Sequence, residues 1–168
     1  MCEMKSQDFM QQLTPQKKKV RELKYSIYSR VFQTENENID YISVIIDRHD
    51  IKKNIIGSID IQKEYGEIYA ILEGIKFIYN SIEMEYKKFI NLKVFSNNTF
   101  VVNLLREWIY VWGENDFEKC KLKQEYIVLL KDLYKYIQII KTSIFWVTKT
   151  TDENSWIIYS KKNINEFK

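Results

Sequence analysis

Cysteine, proline, glycine and histidine are all scarce in this 168-residue chain, which has two, one, four and one of them respectively. Cys2 and Cys120 make neither a disulfide framework nor a zinc-ligand spacing, which fits a reducing compartment. Four glycines leave little material for a phosphate-cradling loop or a nucleophile elbow, and no motif of either kind is present. Arginine is rare as well, with 4 against 22 lysines. Its guanidinium grips phosphate and guanine bidentately, whereas lysine acts as a point charge, so sharp nucleic-acid readout is disfavoured. No segment approaches the roughly 18 apolar residues of a spanning helix, and the polar stretch before Arg21, broken by Pro15, has no signal-peptide core. The expectation is a cytoplasmic protein with no membrane partner.

Apolar residues make up 45% of the chain and aromatics 15%, a composition that folds around a core. The formal charge of +3 is too close to neutral to announce a polyanionic partner. Ile, Asn, Lys and Tyr recur throughout, as AT-rich coding produces, which points to a biased genome or a selfish element and not to a mechanism. Residues 1–22 read as a polar arm carrying Lys17, Lys18 and Lys19, a solvated tail in the simplest reading, and residues 23–168 as one domain.

Three stretches rich in Ile, Val and Tyr, 24–32, 41–47 and 51–61, are separated by short polar breaks and predict antiparallel strands joined by hairpins. The period then changes. Ile68, Ile71, Leu72, Ile75 and Ile78 are spaced for an amphipathic helix over 66–82. A fourth strand is predicted over 89–95, and a helix over 97–112 carries Val101, Leu104, Leu105, Trp108 and Trp112 on one stripe, with Gly113 to stop it. A helix over 122–138, a strand over 142–147 and a helix over 152–167 complete the order. Such an order predicts an α/β fold, a mixed five-stranded sheet of three antiparallel strands followed by crossover helices.

Two stretches add detail to this order. Glu67-Ile68-Tyr69-Ala70 opens the first helix as a Glu-x-x-Ala motif, and Asn97 follows the fourth strand with Trp108 and Trp112 eleven and fifteen residues later. With these, the chain from Lys24 to Phe167 resembles the ribonuclease H family, in which an Asp stands where this sequence has Asn97. The resemblance implies a two-metal hydrolase whose closely spaced Mg²⁺ ions are held by four carboxylates.

Most of those carboxylates are missing. Ser29, in Tyr28-Ser29-Arg30, stands where the first is expected, and no Asp occurs between Phe9 and Ile39. Glu67 matches the second, Asn97 replaces the third with a neutral amide, and Ser155 to Tyr159, where the fourth is expected, is neutral, with Asp152 and Glu153 the nearest acids. The family's histidine before the last helix is absent from Thr148 to Asn154. Catalytic residues, metal and cofactor are therefore all expected to be none, with Ser29, Glu67 and Asn97 as vestigial positions. For Glu67 itself the simpler reading is a first-turn acid favoured by the helix dipole. His49 reads as a surface residue, and the four tryptophans as core packing.

Three kinds of function remain, in this order. The first is binding of a protein, as an inhibitor or immunity-type factor that neutralises a basic nuclease toxin. Its candidate surface is Glu114, Asp116 and Glu118, in a loop where hybrid-gripping relatives carry a basic protrusion. These acids would repel a phosphate backbone and suit a basic partner. The second is a non-cleaving binder of an RNA/DNA hybrid or structured RNA, for which Lys121, Lys123, Lys131 and Lys135 speak. The third is a weak nuclease with rearranged carboxylates.

Overall fold

The computed structural model describes residues 22–33 and 38–146, the side chain of Trp146 excepted. Lys17 to Lys19, Asp152, Glu153, Ser155, Trp156 and the helix expected over 152–167 lie outside the described residues, as does Cys2.

The elements are β1 (Leu23–Gln33), β2 (Ile39–Ile46), β3 (Lys52–Ile59), α1 (Lys63–Ser81), a 3₁₀ turn (Met84–Phe89), β4 (Ile90–Ser96), α2 (Thr99–Asn103), a π-helical segment (Leu104–Trp108), α3 (Ile109–Gly113), α4 (Gln124–Ile139) and β5 (Lys141–Trp146). The sheet runs β3-β2-β1-β4-β5, antiparallel across β3, β2 and β1 and parallel from β1 through β4 to β5. This is the mixed sheet that the order of periodicities predicts. The 3₁₀ turn and the π segment were not expected, because apolar spacing over so few residues does not distinguish them from loop or α-helix.

Alternation decides which side chains face the helices. On β1, Ile27, Ser29 and Val31 are buried beneath α1, and their partners on β2 are Ile45, Ser43 and Tyr41. On β4, Ile90, Leu92, Val94 and Ser96 point the same way. The opposite face carries the fully buried Ile42 and Val44 beside Tyr28, Phe32, Ile46 and Ile56, and an aromatic ladder in which Phe95 stacks on Tyr28 at 4.6 Å and on Phe145 at 5.3 Å.

Helix α1 lies close to the sheet at Gly74. A Cβ on Gly74 would stand 2.5 Å from Ser43 Oγ, a separation no real side chain tolerates. Ile68, Ile71, Leu72, Ile75 and Ile78 bury the rest of that face, each worth roughly 1.5–3 kcal/mol over exposure. Helix α4 packs alongside through Tyr126, stacked on Tyr65 of α1 at 3.7 Å, and Lys76 of α1 reaches Asp132 of α4 at 3.1 Å.

Gly113 does end α3, and it does so without a left-handed turn. No glycine has a positive φ, and Glu114 continues the right-handed path. A Cβ on Gly113 would lie 2.3 Å from the ring of Tyr134, so the glycine makes room for an aromatic side chain of α4.

Candidate functional site

Ser29, Glu67 and Ser96 meet where β1, β4 and α1 come together. The parallel register sets Tyr28 beside Phe95, which brings the next inward residue of β1, Ser29, next to the last residue of β4, Ser96. Glu67 hangs over both. Ser96 Oγ donates to Glu67 Oε1 at 2.8 Å, and Ser29 Oγ donates to the same oxygen at 3.3 Å. The amide N–H of Asn98 donates to Ser96 Oγ at 3.1 Å, and the Asn98 side chain accepts from the N–H of Val101 to cap α2. One continuous hydrogen-bonded path therefore links the sheet, α1 and the first turn of α2.

Glu67 is not the first-turn acid that a helix beginning at Gly66 would make it. The helix begins at Lys63, the first-turn acid is Glu64, and Glu67 sits one turn further in at 3% exposure. Burial pushes its carboxyl above the ordinary glutamate range, and the Ser96 hydrogen bond, the Arg30 charge, the Ser29 hydrogen bond and Lys63 only partly oppose this. Sequence reasoning missed Ser96 and took Asn97 instead. The inward alternation of Ile90, Leu92 and Val94 was the available signal, since it places Ser96 on the face beneath α1. Asn97 is half-buried, and no bond joins it to Glu67 among the described contacts.

Among the described residues the donor set does not match two dications: Ser29, Ser96 and Asn97 are neutral, and the one described carboxyl group of the cluster, that of Glu67, already accepts two hydroxyl protons on one oxygen. Among the described residues no group of three or more His, Cys, Asp or Glu side chains is placed to hold a metal ion.

The acidic loop after α3 is the second place singled out. Glu114, Asp116 and Glu118 are all exposed, whereas Phe117 between them is 4% exposed and packs edge-on against Tyr134. Asp116 and Phe117 both have left-handed backbone, φ 51° and 64°. Burial of the ring holds that conformation and turns the neighbouring acids outward. Lys131 of α4 stands 3.9 Å from the exposed Asp116 carboxylate, a loose surface pair. Lys121 and Lys123 precede α4 and are not part of it. On the adjoining helical surface Tyr110 and Val111 are exposed, Val111 at 62%.

Trp108 departs from the core role read for it. It is 38% exposed and lies against Phe100 and Trp112 at 5.8 and 6.2 Å, because the π segment turns the stripe outward at this point. Trp112 is partly buried against the core. His49 is an exposed residue of the β2–β3 turn, its N–H bonded to Asp47. Cys120 is a buried free thiol. An open cleft of about 680 Å³ lies at the starts of α1 and α4. Asp60, Lys63, Glu64, Lys123 and Glu125 among its lining residues give it no dominant charge, and Glu67 is not part of it. No described helix is long and apolar enough to cross a membrane.

No protein-family model and no curated protein matches the chain. Solved structures do. The protease-reverse transcriptase of prototype foamy virus matches with a TM-score of 0.62 at 13% identity, over 84% of this chain and 20% of that one, so this chain spans a fifth of that protein's length. The foamy viral enzyme in complex with an RNA/DNA hybrid matches with a TM-score of 0.56 at 14% identity, over 84% and 19% of the two chains. The isolated ribonuclease H domain of that virus gives 0.57 at 14% identity, over 84% and 90% of the two chains. LC11-RNase H1, isolated from compost by a metagenomic approach, gives 0.60 at 10% identity over 83% and 91%. The chain has the ribonuclease H-like fold.

Proposed function

We propose that this chain acts by binding and not by cleavage, as an intracellular inhibitor or immunity-type protein that neutralises a basic protein such as a nuclease toxin. The observation that carries this reading is the acidic loop, which presents Glu114, Asp116 and Glu118 to solvent from a backbone pinned by the buried Phe117. A rigid cluster of one sign steers an oppositely charged protein, and the exposed Tyr110 and Val111 beside it offer apolar contact within an acidic rim. Loss of hydrolysis is supported by a site that, among the described residues, holds one carboxyl group, to which two serines donate.

The runner-up reading is a non-cleaving nucleic-acid binder. It draws on the foamy viral enzyme of the same fold that was solved with an RNA/DNA hybrid, and on Lys121, Lys123, Lys131 and Lys135 on and just before α4.

Capture with tagged protein from native cells, in nuclease-treated and untreated lysates, separates the two. The wild-type chain is compared with a loop variant carrying Glu114→Lys, Asp116→Lys and Glu118→Lys. A protein partner that survives nuclease and is lost from the variant is the expected result. A catch of nucleic acid that vanishes on treatment, unaffected or strengthened in the variant, would establish the other reading. Hydrolysis of a hybrid in Mn²⁺ that disappears in Glu67→Gln would reverse the non-catalytic assignment.

A further inference from the structure

We infer that the place where the resemblance puts catalytic metal is, in this chain, a hydrogen-bonded clamp that takes no divalent cation and that seats α1 and the start of α2 on the sheet. Divalent-metal sites of this kind collect several carboxylates at one point, and the carboxylates repel one another until the cation arrives. Here the surroundings are a row of hydroxyls. Ser43, Ser29 and Ser96 come from three neighbouring strands, all buried beneath α1, with Ser43 opposite Ser29 in the β1–β2 register. Both donors to Glu67 spend their single proton on it, and Ser96 Oγ also accepts the Asn98 N–H. Hydroxyl oxygens are neutral ligands, and the one carboxyl group among these described residues leaves the charge of a dication largely uncompensated. Among the described residues the charged groups acting on Glu67 are Arg30 and Lys63, both positive, and they add no negative charge that would draw a dication.

The clamp also answers what holds these elements together without metal. Glu67 contributes one side chain that touches β1 and β4 at once, and Ser96 passes the connection to the residue that caps α2. Removing the carboxyl group leaves two buried hydroxyls without their acceptor, whereas Gln keeps an acceptor oxygen of the same reach.

The test is thermal unfolding of the full chain in EDTA and in millimolar Mn²⁺, for wild type, Glu67→Gln and Glu67→Ala. The expected result is a wild-type melting temperature that Mn²⁺ does not raise, Glu67→Gln melting near wild type, and Glu67→Ala melting several degrees lower or failing to fold. A rise on adding Mn²⁺ to wild type that Glu67→Gln abolishes would overturn the inference, as would Glu67→Ala melting with wild type. Neither outcome touches partner capture through the acidic loop, so the clamp and the binding surface fail separately.

Discussion

Glu67 gives the fold a stability that depends on pH in an uncommon direction for a carboxylic acid. Its pKa in the folded protein is raised by burial, so between the ordinary glutamate value and the raised one the folded chain holds a proton that the unfolded chain has released. The contribution is therefore complete below the unfolded pKa and is lost as pH rises through the folded pKa. Arg30 and Lys63 pull the other way without reversing the direction. Urea midpoints measured across the acid-to-neutral range should fall with rising pH more steeply for wild type than for Glu67→Gln, and equal slopes would show that some other group is responsible. Glu67→Ala should cost on the order of 1–3 kcal/mol at acid pH, the penalty of stranding buried hydroxyls. The sequence and its family resemblance located Glu67 and Ser29, but not Ser96 or the bonds that join the three. The Glu-x-x-Ala setting is local, whereas the approach of Ser29 and Ser96 depends on the register between strands separated by most of the domain.

At the scale of elements, the sheet and the long helices were legible because each has one dominant period. Strand β4 alternates buried and open positions, and α1 repeats Ile at helical spacing. The stretch from Thr99 to Gly113 was legible as helix but not as α, π and α in succession, so Trp108 was assigned to the core and lies at its margin. The loop that follows was legible as acidic, and its shape was not. Nothing in Gly113-Glu114-Asn115-Asp116-Phe117-Glu118 announces that the left-handed residues are Asp116 and Phe117 and not the glycine. That backbone costs about 1–2 kcal/mol per residue outside glycine, and the buried Phe117 ring offsets it. Phe117→Ala should accordingly destabilise the protein by roughly 3–5 kcal/mol in chemical denaturation and free the loop. Phe117→Gly, which relaxes the backbone, should still lose most of that stability. If Phe117→Gly were as stable as wild type, the ring would not be what fixes the acidic residues in place.

For the molecule as a whole, element order was enough to give the mixed five-stranded sheet, and it took the Glu-x-x-Ala motif at Glu67 and the spacing of Asn97, Trp108 and Trp112 to give the ribonuclease H-like fold. The position of β1 in the sheet has a kinetic consequence. On one side β1 pairs with β2, which follows it closely in the sequence, Ser29 facing Ser43, and on the other it pairs with β4 from far along the chain, Tyr28 facing Phe95. Closing a long loop is entropically slow compared with closing a hairpin. Refolding should thus proceed from an early meander of β1, β2 and β3 to a late docking of β4 and β5. In pulse-labelled hydrogen exchange, amides of Ile39–Ile46 should gain protection before those of Ile90–Ser96. Since Ser96 arrives only with β4, Glu67 spends the early stage of folding with at most one of its two partners, and the clamp closes as the last strands dock.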